Sequence, residues 1–196
     1  LTDSDGGAAN VIFDRELREG VQNRFVAQYG SGAAYNFKSQ MILPPGLDLT
    51  DATEVVIDDI TQWRILDSLV IDRGESVSLM ALALYEESDF GTATLDTVEW
   101  ISLGLRPAYH VNRFVSVALE AGYDHTRQSG GDEGALYKLT LAPQITPDAS
   151  PLSRPSVRTF FTYAWWDDDF VGKVAPRSFG DDSEGLALGI QFETWW

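Results

Sequence analysis

The chain has 196 residues, no cysteine, and 30 acidic against 14 basic side chains, for a formal net charge of −16. One domain is the default at this length; disulfide frameworks, thiolate metal sites and a cysteine nucleophile are excluded, and the charge argues against binding nucleic-acid phosphates. No apolar run approaches the roughly 18 residues of a membrane helix, a test to which alternating strands are invisible.

In chain order, segments 10–17, 23–30 and 61–71 read as strands with weak patterning. Around Leu79–Tyr85 the alternation blurs, with Met80, Leu82 and Leu84 set against Ala81, Ala83 and Tyr85. It then sharpens. Ile101, Leu103, Leu105, Pro107 and Tyr109 oppose Ser102, Gly104, Arg106, Ala108 and His110. Val115, Val117, Leu119, Ala121 and Tyr123 oppose Phe114, Ser116, Ala118, Glu120, Gly122 and Asp124. Tyr137, Leu139 and Leu141 oppose Lys138, Thr140 and Ala142, and Val157, Thr159, Phe161 and Tyr163 oppose Arg158, Phe160, Thr162 and Ala164. The last segment sets Leu186, Leu188, Ile190, Phe192, Thr194 and Trp196 against Ala187, Gly189, Gln191, Glu193 and Trp195. Successive side chains of a strand point to opposite faces, so each segment has one oily face and one mixed face. About nine strands of roughly ten residues result, the length that crosses a bilayer at a tilt.

Links alternate in length, tight near Arg18–Val21, Asp72–Glu75 and His110–Arg113, longer near 31–60, 88–97, 125–134 and 167–184. Short turns at one end and long loops at the other are the pattern of an outer-membrane barrel. The link 146–154 is long for a turn and is stiffened by Pro147, Pro151 and Pro155. If the final strand ends on the periplasmic side, Tyr123, Tyr137 and Tyr163 form an external aromatic belt on the oily face, and Tyr109 and Trp196 a periplasmic one. The opposite face carries Arg106, Glu120, Asp124, Lys138, Arg158, Gln191 and Glu193. Burying such charges unpaired costs several kcal/mol each, a cost that a water-filled bore removes. Acids also crowd the loops, as at Asp167, Asp168 and Asp169; carboxylates suit calcium, although no run has the spacing of a calcium loop. Nine strands with this many bore charges imply a sheet that belongs to a larger, even-stranded barrel. No leader peptide is visible, so we expect it to have been removed or the chain to begin partway through a longer protein.

Several segments resemble maltoporins, in order along the chain. They include Arg64-Ile65-Leu66-Asp67, Gly104-Leu105-Arg106-Pro107, Leu119-Glu120-Ala121-Gly122-Tyr123-Asp124 and Tyr137-Lys138-Leu139-Thr140-Leu141-Ala142. Ser153-Arg154-Pro155-Ser156-Val157-Arg158 followed by Phe161-Thr162-Tyr163-Ala164, and the closing Phe192-Glu193-Thr194-Trp195-Trp196, complete the set. The resemblance implies an all-β, antiparallel transmembrane β-barrel of eighteen strands in a homotrimer, with this chain as about its C-terminal half. It implies a Gram-negative outer-membrane porin that passes maltodextrin-type sugars along a slide of aromatic rings opposite a polar track, with no cofactor. Carried over by position, Trp195 matches a slide aromatic near the periplasmic side and Phe25 one at the exit. Leu152 stands where the family has a slide tryptophan, which leaves apolar contact without a flat ring. Arg106, Arg158, Lys138, Glu120 and Glu193 are candidates for the polar track, or for pairing across neighbouring strands. Phe114 and Phe160 also take the bore parity.

Other classes compete. An enzyme is disfavoured: His110 and His125 are the only histidines, neither in a nucleophile-elbow or metal-type spacing, and carboxylates concentrate in loops. A soluble glycan-binding β-sandwich would share aromatic–sugar stacking but lack the belts. Within porins, a general diffusion pore or a porin for another saccharide is the alternative.

Overall fold

The computed structural model describes residues 5–35, 57–74, 76–91 and 97–194. Nine strands form one sheet in sequence order: β1 (Gly6–Arg18), β2 (Val21–Gly32), β3 (Thr61–Ile71), β4 (Val77–Asp89), β5 (Thr97–His110), β6 (Val115–Gln128), β7 (Glu133–Ile145), β8 (Ser156–Trp166) and β9 (Glu184–Glu193). Every neighbouring pair is antiparallel. Among the described residues no second sheet packs on this one, which removes the β-sandwich, and no pairing joins β1 to β9, so the sheet is open.

Short links 19–20, 72–76 and 111–114 gather at one end of the sheet and the loops at the other. Gly20 turns the first link with φ +68°, and an added Cβ there would meet the Asp72 carbonyl oxygen at 2.3 Å, so glycine is required. The expected long loop 125–134 is instead a four-residue turn, 129–132, because β6 runs on to Gln128 and β7 starts at Glu133. Beyond the oily zone both faces meet water, so polar residues continue the ladder there without the alternation that reveals a strand. Most of the 31–60 link, and residues 92–96 of the next, lie outside the described residues. The 146–155 link folds toward β3, where Ser150 Oγ donates to Asp72 Oδ2 at 2.6 Å, which accounts for its length.

Burial is inverted relative to a water-soluble domain. The most completely buried side chains are Phe170, Glu86, Thr126, Ser78, Ser116 and Ser156, five of the six polar. Leu119, Leu139, Leu141, Phe161, Leu186 and Leu188 are all exposed. Paired register puts these leucines on the face of Tyr123 and Tyr137, so the exposed apolar surface is one continuous wall.

The belt at the loop end is a chain of ring contacts. Tyr123 and Tyr137 have centroids 5.3 Å apart, Tyr137 and Trp165 5.4 Å, Trp165 and Tyr163 5.5 Å; further round, Trp63 meets Tyr85 at 5.0 Å. Trp63 lies in the row of Glu99 on β5, whereas Tyr163 lies in the row of Leu105. The belt therefore climbs six residues across the five steps from β3 to β8. With a rise of about 3.3 Å per residue and a strand spacing of about 4.8 Å, a level belt requires a strand tilt of about 40°, the tilt of membrane barrels. One interruption lies on this wall: Arg15 Nε donates to Asn23 Oδ1 at 3.2 Å, and Asn23 Nδ2 donates to Asp67 Oδ1 at 2.9 Å.

Candidate functional site

The face opposite the oily wall gathers the charged positions singled out from parity. Register aligns Gln144, Arg158 and Gln191 in one row, with Glu193 opposite Ser156 in the next. Arg154 Nη2 donates to Glu193 Oε1 at 2.8 Å, and Arg158 donates to the other oxygen of the same carboxylate. Arg106 Nη2 donates to Gln144 Oε1 at 3.1 Å, and Gln144 Nε2 passes a bond on to Ser116 Oγ at 2.9 Å. Lys138 Nζ lies 3.1 Å from Glu120 Oε1. All five expected track residues thus share one surface on five consecutive strands; Lys138 pairs with Glu120 and Arg158 with Glu193 across neighbouring strands, while Arg106 on β5 reaches over β6 to Gln144 on β7. Charge-assisted bonds fix them in place; Lys138, Glu120 and Glu193 stay partly exposed, whereas Arg158 and Gln144 are buried. Ser78 Oγ and His110 Nε2, 2.9 Å apart, lie on the same face near the short-link end.

A second polar group on this face was not foreseen. Gln62 Nε2 donates to Glu86 Oε1 at 2.9 Å and to Ser88 Oγ at 2.7 Å, and Arg64 Nε donates to Gln28 Oε1 at 2.9 Å. Arg64 also lies 3.8 Å from Glu86. Its signal in the sequence is drowned because β2–β4 mix polar and apolar residues on both faces: the bore side carries Val26, Leu66, Leu82 and Leu84 beside Gln62, Arg64 and Glu86, and the oily side carries Asn23 and Asp67. Only pairing with the clear strands β5 and β6 assigns their parity.

The slide candidates fare differently. Leu152, on the inward-folded link, lines a depression with Gln22, Val70 and Met80, so it does reach the bore side. Phe25 does not. Its row runs Phe13, Phe25, Asp67, Ala83, Leu103, which is the row of Tyr123 on the oily wall. The carry-over to Phe25 is corrected on that ground: one residue of parity turns a strand side chain to the other face. Phe114 falls in the β5–β6 turn, exposed, with the Arg113 guanidinium 5.4 Å from its ring centroid, and leaves the bore set. Trp195 and Trp196 lie outside the described residues.

At the loop end, segment 167–183 turns onto the polar face. Phe170 is buried, and its ring covers Gly134, where an added Cβ would meet Cε1 at 3.0 Å. Phe179 lies over Gly185 and 5.6 Å from Trp166. Two of the loop acids anchor this fold: Asp167 Oδ2 accepts from the Ala135 N–H at 2.8 Å, and Asp132 pairs with Lys173. Among the described residues no three acidic or histidine side chains converge as a metal site requires.

The arrangement is a polar, partly charged inner face, narrowed at both ends by inward-folded links, on a sheet whose outer face is oily and belted. The family model described as LamB porin matches the chain over residues 1–196.

Proposed function

The chain belongs to the LamB porin family, and we propose, on that premise, that in the complete protein its polar face guides maltodextrin-type saccharides through the pore. Members of this family are outer-membrane β-barrel sugar porins, which fits the oily, belted outer wall. The nine strands are read as about the C-terminal half of an eighteen-stranded barrel assembled as a homotrimer, with the short-link end periplasmic. The observation that carries the reading is the opposition of two continuous faces: linked hydrogen-bonding side chains on one, bilayer-compatible apolar side chains on the other.

The chemistry of passage follows from the sugar. A glucosyl ring has an apolar face that packs on an aromatic or aliphatic surface, and a rim of hydroxyls that exchange hydrogen bonds with carboxylates, amides and guanidiniums. Glu120 and Glu193 supply acceptors and Arg106 and Lys138 donors, with the buried Arg158 and Gln144 holding Glu193 and Arg106 in place. Their bonds to one another already satisfy part of each group, so a hydroxyl gains little net free energy by joining. Such weak, repeated sites let a chain of sugars hop rather than stick. Trp195 is proposed as the stacking ring near the periplasmic end, with Leu152 as a further apolar contact on the path.

Leucine at 152 favours a second reading, a general diffusion pore or one for another saccharide. Planar-bilayer recording of the complete protein separates them. Concentration-dependent block of the ion current by maltohexaose supports the sugar-specific reading, and unblocked current at millimolar sugar supports general diffusion. Trp195→Ala should weaken the block several-fold while trimers still assemble; unchanged block would remove Trp195 from the slide.

A further inference from the structure

The bore face of β8 carries two aromatic rings that neither the track nor the slide assignment uses: Trp166, buried beside Phe179, and Phe160, which stays partly exposed. Phe160 sits in a row of small residues, Ala108, Ala118 and Ala142 on one side and Gly189 on the other. Its ring lies down across that floor. A Cβ added at Gly189 would stand 2.5 Å from the ring's Cζ, 2.8 Å from Cε1 and 3.3 Å from Cε2, so this glycine makes room for the ring itself. Glycine inside a strand weakens the strand and commonly marks a close approach from above. The ring is only half-buried, and it forms part of a depression with Arg106, Glu120, Lys138, Arg158, Thr162 and Gln191. A side chain that merely filled the row would be covered. This one stays partly exposed in the depression, ringed by side chains that donate and accept hydrogen bonds.

We infer that Phe160 is a further sugar-stacking residue, a platform on the β8–β9 wall on which a hexose ring rests while its hydroxyls reach the surrounding charged side chains. The inference deepens the sugar-porin reading and rests on it. An apolar floor inside a polar rim is the complement of a pyranose, whose axial hydrogens cover one face and whose hydroxyls project around the edge. The positively charged neighbours do not compete for the ring, since Arg158 is committed to Glu193 and Lys138 to Glu120. Phe160 contributes ring area rather than hydrogen bonds, so the relevant change is loss of flatness, not loss of bulk.

The experiment compares the complete protein with three variants in planar bilayers, with maltohexaose as the blocking sugar and trimer yield in detergent as the control for assembly. Phe160→Leu keeps apolar bulk but removes the plane, and should weaken the block about 3- to 10-fold, the worth of one ring contact, with sugar-free conductance nearly unchanged. Phe160→Tyr keeps the plane and should stay within about twofold of the parent protein. Gly189→Ala leaves Phe160 in the sequence but lifts its ring, and should weaken the block in the same direction. Should Phe160→Leu fail to assemble, the contrast between Phe160→Tyr and Gly189→Ala decides. Block by Phe160→Leu or Gly189→Ala equal to that of the parent overturns the inference alone; a parent channel that maltohexaose does not block overturns it together with the sugar-specific reading.

Discussion

Leu141→Arg tests the assignment of faces most directly. Leu141 lies on a central strand, in the row of Leu119, Phe161 and Leu188, and is 48% exposed. That exposure is on the order of 90 Å², worth about 2 kcal/mol at roughly 25 cal/mol per Å² if hydrocarbon covers it. An arginine facing lipid at mid-depth adds about 2–4 kcal/mol, so the substitution should cost about 4–6 kcal/mol in total. The control is its neighbour Thr140, on the opposite face, whose hydroxyl lies 2.8 Å from that of Thr162. Thr140→Arg loses one exchangeable hydrogen bond and places its charge in water, for about 1 kcal/mol. The measurement is denaturant-induced unfolding of the complete protein from liposomes, followed by tryptophan fluorescence and by the gel mobility of the folded protein. The midpoint should fall steeply for Leu141→Arg and slightly for Thr140→Arg. Equal costs, or a larger cost for Thr140→Arg, would refute a lipid-facing wall opposite an aqueous bore.

Two further outcomes follow from named contacts. Glu193→Gln removes the carboxylate shared by Arg154 and Arg158, whose side chains are only 10% and 9% exposed; reversal potentials in asymmetric salt should shift toward anions, with a stability loss of about 1–3 kcal/mol. Gly20→Ala forces a side chain onto a left-handed backbone and into the Asp72 carbonyl, so thermal stability of the folded protein should drop by at least about 1 kcal/mol, while single-channel conductance stays unchanged because the turn lies outside the bore.

Strand–strand alternation is a local property, and where one face meets hydrocarbon and the other water it is written plainly in the chain. This is why β5 to β9 were legible, with Leu139, Leu141 and Phe161 on one side and Arg106, Glu120, Lys138 and Arg158 on the other. The same local signal failed for β2–β4, where polar and apolar residues mix on both faces, and there the expectation for Phe25 fell on the wrong surface. Pairing to strands of unambiguous parity was needed to turn it outward and to bring Arg64, Gln62 and Glu86 together. Strand extent was likewise hidden beyond the bilayer, where water on both faces erases the alternation but not the hydrogen-bond ladder of β6 and β7.

The sequence by itself determined the all-β class, the number of strands and the two-faced wall, because these depend on residues one or two positions apart. Only the tertiary structure decided which charges share a carboxylate, where the 146–155 link and the 167–183 segment turn inward, and that Gly189 cradles the ring of Phe160. Those contacts join residues distant in the chain, and their partners are set by the register and curvature of the whole sheet, which no local pattern encodes.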